Sequence, residues 1–407
     1  MNGAPQVTFA GPEPAEPQGR YHRLEQIPWW RQERLAAARI LVAGAGALGN
    51  EILKNLALLG VGRIVIVDLD VIEASNLSRS VLFRAADEGK PKAQTAARRL
   101  RRINPHVKVF ALHGDLRWHL GLGLLKRMDM VLAGLDSIGA RLALNQMCWQ
   151  AGVPWLDGGL DALNGTLRVY SPPREACFEC GLSNRDYQRL SASYSCQLLP
   201  REAAEGGWIA TTPTSASLIA AWQVQEAVKS LHGRPLAASS SAVFDGVGFE
   251  LRRVRLRRRP GCPAHETLGE VLRLPGITAD VTVAELLDLL EDRCGEPVSI
   301  ELDREVVVGA SCPACGGSAL TPQALFTLPA DGNRCASCGA ETNLHLCHRL
   351  APGSELGPSS LRQLGVPPLH ILTARAADGR RWSFELTGDA KAGKLGRFLK
   401  GVPDERP

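Results

Sequence analysis

The sequence predicts a doubly wound α/β domain on a mostly parallel sheet with an antiparallel extension, followed by a small C-terminal α+β region carrying a cysteine-rich ribbon. Three observations predict it. Apolar runs such as "RILVAG", "RIVIVD" and "MDMVLAG" are continuous rather than alternating, as in strands buried on both faces. Helical segments separate them with a regular period. Beyond His265 the composition changes, and two Cys-x-x-Cys pairs mark a different module.

Residues 1–19, rich in Pro, Gly, Ala and Glu, offer nothing to bury and are expected to be disordered. A short amphipathic approach then leads to a strand at 39–44, a helix at 47–60 and a strand at 63–68. The alternation continues with a helix at 92–103, strands at 107–115 and 128–134, a helix at 140–150 and a strand at 153–159. Residues 165–172, 241–246 and 249–261 read as antiparallel strands extending one edge. A helix over 214–233, with its glycine stop, falls between them. The core unit is therefore expected over 20–265, with a small α+β unit at 266–310, a ribbon at 311–345 and an extension at 346–407. Within the small unit a helix at 281–295 precedes two short strands, 296–302 and 304–308. The extension holds strands at 370–376 and 381–388.

With 407 residues, 45% of them hydrophobic and 22% charged, the chain has the composition of a soluble globular protein. No apolar run is long enough to span a membrane, and the first residues lack the pattern of a signal peptide, so a cytoplasmic protein is expected. A net charge of +5 is mild for this length and gives no reason to expect nucleic acid as a partner. The eleven cysteines should be reduced thiols, and paired cysteines in a reducing compartment point to metal.

Gly44, Gly46 and Gly49 form G-x-G-x-x-G between a strand and a helix, and Asp68 ends the next strand. Glycines there bring the backbone close to phosphates at a helix N-terminus, and the acid suits a ribose hydroxyl. The pattern is Rossmann-like, and NAD, FAD or ATP would each fit it. The residues that discriminate follow: Asp70, Asn76 and Arg79 in "DLDVIEASNLSRS", Lys92 in "GKPKAQ", and Asp136 closing "AGLD". Arginine and lysine at strand ends would offset the negative charge of nucleotide phosphates. A further acid suits Mg²⁺. Taken singly, Lys92 and Arg79 read as surface charges, Asn76 as a cap and Asp136 as a turn former.

In type, order and spacing these residues resemble the ubiquitin-activating-enzyme superfamily, the ThiF/MoeB/HesA-like adenylyltransferases, over about 20–265. The resemblance implies that Asp68 holds the ribose, that Asn76, Arg79 and Lys92 hold the ATP phosphates, and that Asp136 positions magnesium and the α-phosphate. It also implies a homodimer in which Arg23 reaches the partner's active site. Ser80 departs from the family, which often has Gln after the phosphate arginine.

Cys177 and Cys180 in "CFEC", with Cys262 and His265 in "CPAH", present two ligand pairs of the kind that close a tetrahedral Zn²⁺ site. The resembled family holds a structural zinc at these places, more usually with four cysteines. Cys312, Cys315, Cys335 and Cys338 make a zinc ribbon, each pair followed by glycine. His345, Cys347 and His348 lack partners at a ligand spacing, and Cys148 and Cys294 read as structural thiols.

Cys196 differs from these because it lies in a polar stretch where ubiquitin-activating relatives carry their thioester-forming cysteine. Arg201 or the helix start at Thr211–Thr214 could lower its pKa. The basic run 252–260 reads as a solvated strand or a docking surface for an acidic partner. The expected function is ATP-dependent adenylation of the C-terminal carboxylate of a ubiquitin-like or sulfur-carrier β-grasp protein, followed by transfer to Cys196, with the C-terminal modules recruiting the carrier or a downstream conjugating protein. The alternatives are adenylation without a thioester, of MoeB type or on a small carboxylate as in tRNA modification; a nicotinamide-dependent oxidoreductase; and an idle scaffold.

Overall fold

The computed structural model describes residues 19–183, 185–186, 210–319, 322–329, 332–391 and 393–403. Of the expected N-terminal tail only Gly19 is among them. Two short helices, α1 (His22–Glu25) and α2 (Gln32–Ala37), lead into β1 (Arg39–Ala43), α3 (Ala47–Leu59), β2 (Arg63–Asp68), α4 (Lys92–Ile103) and β3 (Lys108–His113). Next come α5 (Leu116–His119), α6 (Leu122–Lys126), β4 (Met130–Ala133), α7 (Ile138–Ala151), β5 (Trp155–Asp161) and β6 (Asn164–Tyr170). Then α8 (Pro213–Leu231), β7 (Ser240–Asp245) and β8 (Glu250–Arg255) complete the unit.

These eight strands form one sheet in the order β3-β2-β1-β4-β5-β6-β7-β8. The first five are parallel and β6, β7 and β8 continue antiparallel. Strand order reverses between β1 and β4, which opens a crevice beyond their C-terminal ends. Side-chain alternation sends Ile40 and Val42 of β1 into one core with Ile52 and Leu56 of α3 and Ile219 and Val224 of α8. Leu41 and Ala43 enter the opposite core with Leu124, Leu125 and Leu144. Both faces of β1 are thus covered, which is why its sequence is apolar without alternation.

The second unit contains β9 (Val271–Leu274), α9 (Val283–Cys294), β10 (Val298–Ser311), β11 (Ser318–Ala319), β12 (Gln323–Ala324), β13 (Asn343–Leu350), β14 (Ile371–Ala376), β15 (Arg381–Leu386) and α10 (Gly393–Leu399). Thr282 caps α9 with Glu285 in a reciprocal capping box. The two short strands expected at 296–302 and 304–308 are one strand, β10. The charged interruption at Asp303 and Arg304 does not end it, because Arg304 is buried, donating to Asp303 Oδ1 at 2.8 Å and to the Trp118 carbonyl at 3.0 Å. The irregularity appears instead as a shift in pairing with β13 between Glu301 and Val306. β14 and β15 pair with β10 and β9, so 266–310 and the extension share one sheet and one apolar core.

The two units are packed together through α5, α6 and the adjoining face of β3. Leu369, Ile371, Phe398 and Leu399 fill that face. The Gly123 amide donates to the Leu369 carbonyl at 2.8 Å, and a Cβ on Gly123 would overlap it. Arg127 and Glu385 form an ion pair buried across the junction, and the Trp118 and Phe326 rings stack at 5.1 Å. Among the described residues no helix is long and apolar enough to cross a membrane.

Candidate functional site

The glycine loop lies at the crevice where strand order reverses. Gly44 has a φ of 92°, and a Cβ on it would press on the Gly134 carbonyl oxygen, 2.5 Å away, at the end of β4. A Cβ on Gly49 would overlap the Gly44 carbonyl. Gly46 starts α3, and the space where its Cβ would stand is open. The first amides of α3 have no acceptor within the helix and face this crevice with the positive end of the helix dipole. Sequence reasoning missed Asn50, which is fully buried: its Nδ2 donates to the Ala45 carbonyl at 2.6 Å and its Oδ1 accepts from the Leu82 amide at 2.9 Å. An asparagine in the first turn of the helix, directly after the glycine loop, was the available signal.

Asp68 closes the loop from below. Its Oδ2 accepts from the Ala45 amide at 2.6 Å and its Oδ1 from the Asp70 amide at 2.8 Å. Burial pushes its carboxyl above the ordinary value, and the Ala45 amide and the Lys92 charge oppose that only in part. Lys92, at the start of α4, donates to Asp70 Oδ2 at 2.8 Å, with its side chain 11% exposed. Asp68, Asp70 and Lys92 therefore form one connected group.

The remaining predicted residues make their contacts outside this group. Asn76 Oδ1 accepts from the Glu73 amide at 3.1 Å and caps the turn Ala74–Asn76. Arg79 donates to the Ser75 carbonyl at 2.7 Å. Asp136 is exposed beyond β4, next to Ser137, which caps α7. Ser80, where the family often has Gln, is buried with its hydroxyl unpartnered. A second group was missed in the sequence: Asp157, wholly buried on β5, binds Arg141 at 2.9 Å and Arg168 at 3.0 Å, and the Arg141 cation also feels Asp136. The clue was an acid inside the apolar run "VPWLDGG".

Arg23 is exposed on α1, and its neighbour Tyr21 places its hydroxyl against Gly60, at the far end of α3 from the glycine loop. The thirteen residues of α3 put about 20 Å between those ends. Arg23 therefore does not enter the loop of its own chain. Cys196 and Arg201 lie outside the described residues. Thr212, at the start of α8, caps the Ser215 amide at 3.2 Å.

Two clusters have the chemistry of metal sites. Cys177, Cys180, Cys262 and His265 bring their ligand atoms within 4.8 Å of one another, with Cys177 Sγ 3.7 Å from Cys180 Sγ and 3.6 Å from Cys262 Sγ. Those separations match the edge of a tetrahedron with metal–sulfur bonds of about 2.3 Å. Burial and the adjacent Cys180 push the Cys177 thiol up to about 12, a cost that a cation would remove. Trp149 stacks on the His265 ring at 5.0 Å. Cys312, Cys315, Cys335 and Cys338 form the second cluster, with Cys312–Cys338 at 3.5 Å and Cys315–Cys335 at 3.6 Å. Each pair folds as the same knuckle: the Gly316 amide returns to the Cys312 carbonyl at 3.0 Å and the Gly339 amide to the Cys335 carbonyl at 2.8 Å. Both clusters could hold a metal ion.

A glycine loop at a strand-order switch, backed by an acid and a buried lysine, defines a nucleotide-binding α/β protein. A sequence profile for the ThiF family matches residues 19–264, and the chain belongs to that family. It is 32% identical over 257 residues to the sulfur carrier protein adenylyltransferase of Thermus thermophilus, covering 60% of this chain and 89% of the relative. It is 32% identical over 248 residues to the molybdopterin-synthase adenylyltransferase of Escherichia coli, covering 60% and 94%. To the mouse adenylyltransferase and sulfurtransferase MOCS3 it is 34% identical over 248 residues, covering 60% of this chain and 51% of that relative, about half its length. Among solved structures, E. coli MccB with succinimide superposes with a TM-score of 0.51 at 23% identity, over 61% of this chain and 75% of that one. That likeness shows the fold. The second unit lies outside the matched residues.

Proposed function

We propose that this protein is an ATP-dependent activating enzyme that adenylates the C-terminal carboxylate of a ubiquitin-like or sulfur-carrier protein. The observation that carries the reading is the connected group of Asp68, Asp70 and Lys92 under a glycine loop that admits no side chain at Gly44 or Gly49, in a chain of the ThiF family. A nicotinamide site would leave the buried lysine and its acid without a task.

In this reading Asp68 accepts the ribose hydroxyls, and the first amides of α3 with Lys92, Asn76 and Arg79 hold the phosphates. A carrier carboxylate oxygen attacks the α-phosphorus, the bond to the β-phosphate oxygen breaks, and pyrophosphate leaves with the electron pair. Positive charge already in place favours that departure without reorganisation. Asp136 would hold Mg²⁺, which when bound neutralises charge on the phosphates. The Cys196 thiolate then attacks the acyl carbon, forming a thioester and releasing AMP.

Zinc is the metal proposed for both cysteine clusters, since four tetrahedral S and N ligands suit it. The position of Arg23, remote from its own loop, supports a homodimer in which it serves the partner's site. The 20–265 unit would carry the chemistry in the cytoplasm, and the ribbon with the sheet around β10 would recruit the carrier or a conjugating protein.

A non-reducing gel of the enzyme with Mg·ATP and a β-grasp protein ending in glycine tests the second step. The expected adduct is lost with reductant and in Cys196→Ala. Adenylation that continues without any adduct would assign the protein to the relatives' simpler reaction, in which Cys196 has no part.

A further inference from the structure

The second unit carries a cationic cavity that the adenylation reading does not use. It measures about 590 Å³ and is bordered by Lys391, Arg397 and Lys400, with Arg127, Leu399 and Val402 among its walls. Its size falls within the range of about 300–1,000 Å³ typical of small-molecule sites. Gly396 lets α10 cross the backbone at Lys391, where a Cβ would stand 2.5 Å from the Lys391 carbonyl carbon. The crossing keeps Lys391 and the cations of α10 at one opening.

Among the described residues the charge at that opening is unbalanced. Lys391, Arg397 and Lys400 are exposed, and none has an ion pair among the described residues. The described acids that precede Lys391 most closely are committed elsewhere: Glu385 to Arg127 inside the junction, and Asp389 to the Ala279 amide at 3.2 Å and Arg362 at 3.4 Å. Among the described residues no acid lines the cavity. Three like charges around one concavity repel each other unless an anion enters.

The cavity is also separate from the glycine loop. Arg63, at the start of β2, donates to the Phe398 carbonyl at 3.1 Å and the Lys400 carbonyl at 2.9 Å, whereas Asp68 is at the other end of that strand. Five strand residues separate them by about 16 Å.

We propose that this cavity binds the phosphate or diphosphate group of a small molecule. Arg397 supplies a planar fork for phosphate oxygens, Lys391 and Lys400 supply mobile point charges, and Leu399 with Val402 offers an apolar wall to the rest of the ligand.

Inorganic pyrophosphate is the probe, titrated calorimetrically into the full-length protein, the Lys391→Ser/Arg397→Ser/Lys400→Ser variant and Lys92→Ala. The wild type should show two classes of site. The triple variant should lose one class, with at least a tenfold fall in its affinity, while keeping its melting temperature and its ATP–pyrophosphate exchange. Lys92→Ala should affect only the other class. Unchanged pyrophosphate binding in the triple variant would overturn the proposal. So would a twelve-nucleotide DNA strand binding at least tenfold more tightly than pyrophosphate and depending on the same three residues, since it would reassign the cations to a nucleic-acid backbone.

Discussion

Lys92 Nζ is held 2.8 Å from Asp70 Oδ2, with the lysine side chain 11% exposed and the aspartate 46% exposed. The arrangement keeps a nearly buried cation aimed at the crevice by an acid that remains in contact with water. Removing the lysine leaves an exposed acid, which costs little stability, but removes a charge where phosphate charge develops. Lys92→Ala is therefore expected to lower ATP–pyrophosphate exchange by about 10²–10³-fold while the melting temperature changes little. Exchange within threefold of wild type would contradict this role.

Asp68 titrates above the ordinary aspartate value of 3.8 because burial penalises its charged form. The native state then keeps this proton at a pH where the unfolded chain has lost it, so this group's contribution to stability falls as pH rises from 3.8 through the native value. Binding has the opposite sense, since only the carboxylate accepts two ribose hydroxyls. Affinity for an ATP analogue should rise with pH along a limb centred above 3.8, and Asp68→Asn should weaken binding and flatten that limb. A wild-type limb at or below the ordinary value would contradict the assignment.

Arg127 and Glu385 are paired with side chains 2% and 3% exposed, one from each unit. Breaking such a pair leaves an uncompensated charge and costs about 3–5 kcal/mol, whereas replacing both with apolar groups is close to neutral. Urea unfolding of Arg127→Met and of Arg127→Met/Glu385→Leu separates these cases. The single variant should lose most of that amount and the double should recover much of it.

The two cysteine clusters predict two zinc ions per chain by elemental analysis. Cys262→Ser should lose one and Cys335→Ser the other. Because Trp149 stacks on His265, chelation should change tryptophan emission in the wild type and in Cys335→Ser, but not in Cys262→Ser. Retention of both ions in either variant would contradict the ligand assignment.

Much of the first unit was legible because its strands are buried on both faces. Arg63–Asp68 and Lys92–Ile103 appear where the continuous apolar run and the helical period place them. The cysteine clusters were readable because metal spacing is local. Long-range arrangements were not. Gly121 and Gly123 look like loop glycines, yet a side chain on either would collide with the Pro368–Leu369 backbone of the other unit. Helix α10 escaped notice because Gly393 and Gly396 lower its helix propensity, and Phe398 and Leu399 bury themselves against β3 rather than in their own unit. In the site, Asp68 and Lys92 followed from motif order, whereas Asn50 and the Asp157–Arg141–Arg168 group depend on contacts between strands and helices that no local pattern encodes.

ATP–pyrophosphate exchange with radiolabelled pyrophosphate, run with and without a β-grasp carrier ending in glycine, tests adenylation most directly. The account predicts exchange that requires the carrier's terminal carboxylate, is lost on Asp136→Lys with the fold intact, and survives Cys196→Ala. No exchange with any carrier, or exchange that persists in Asp136→Lys, would contradict it.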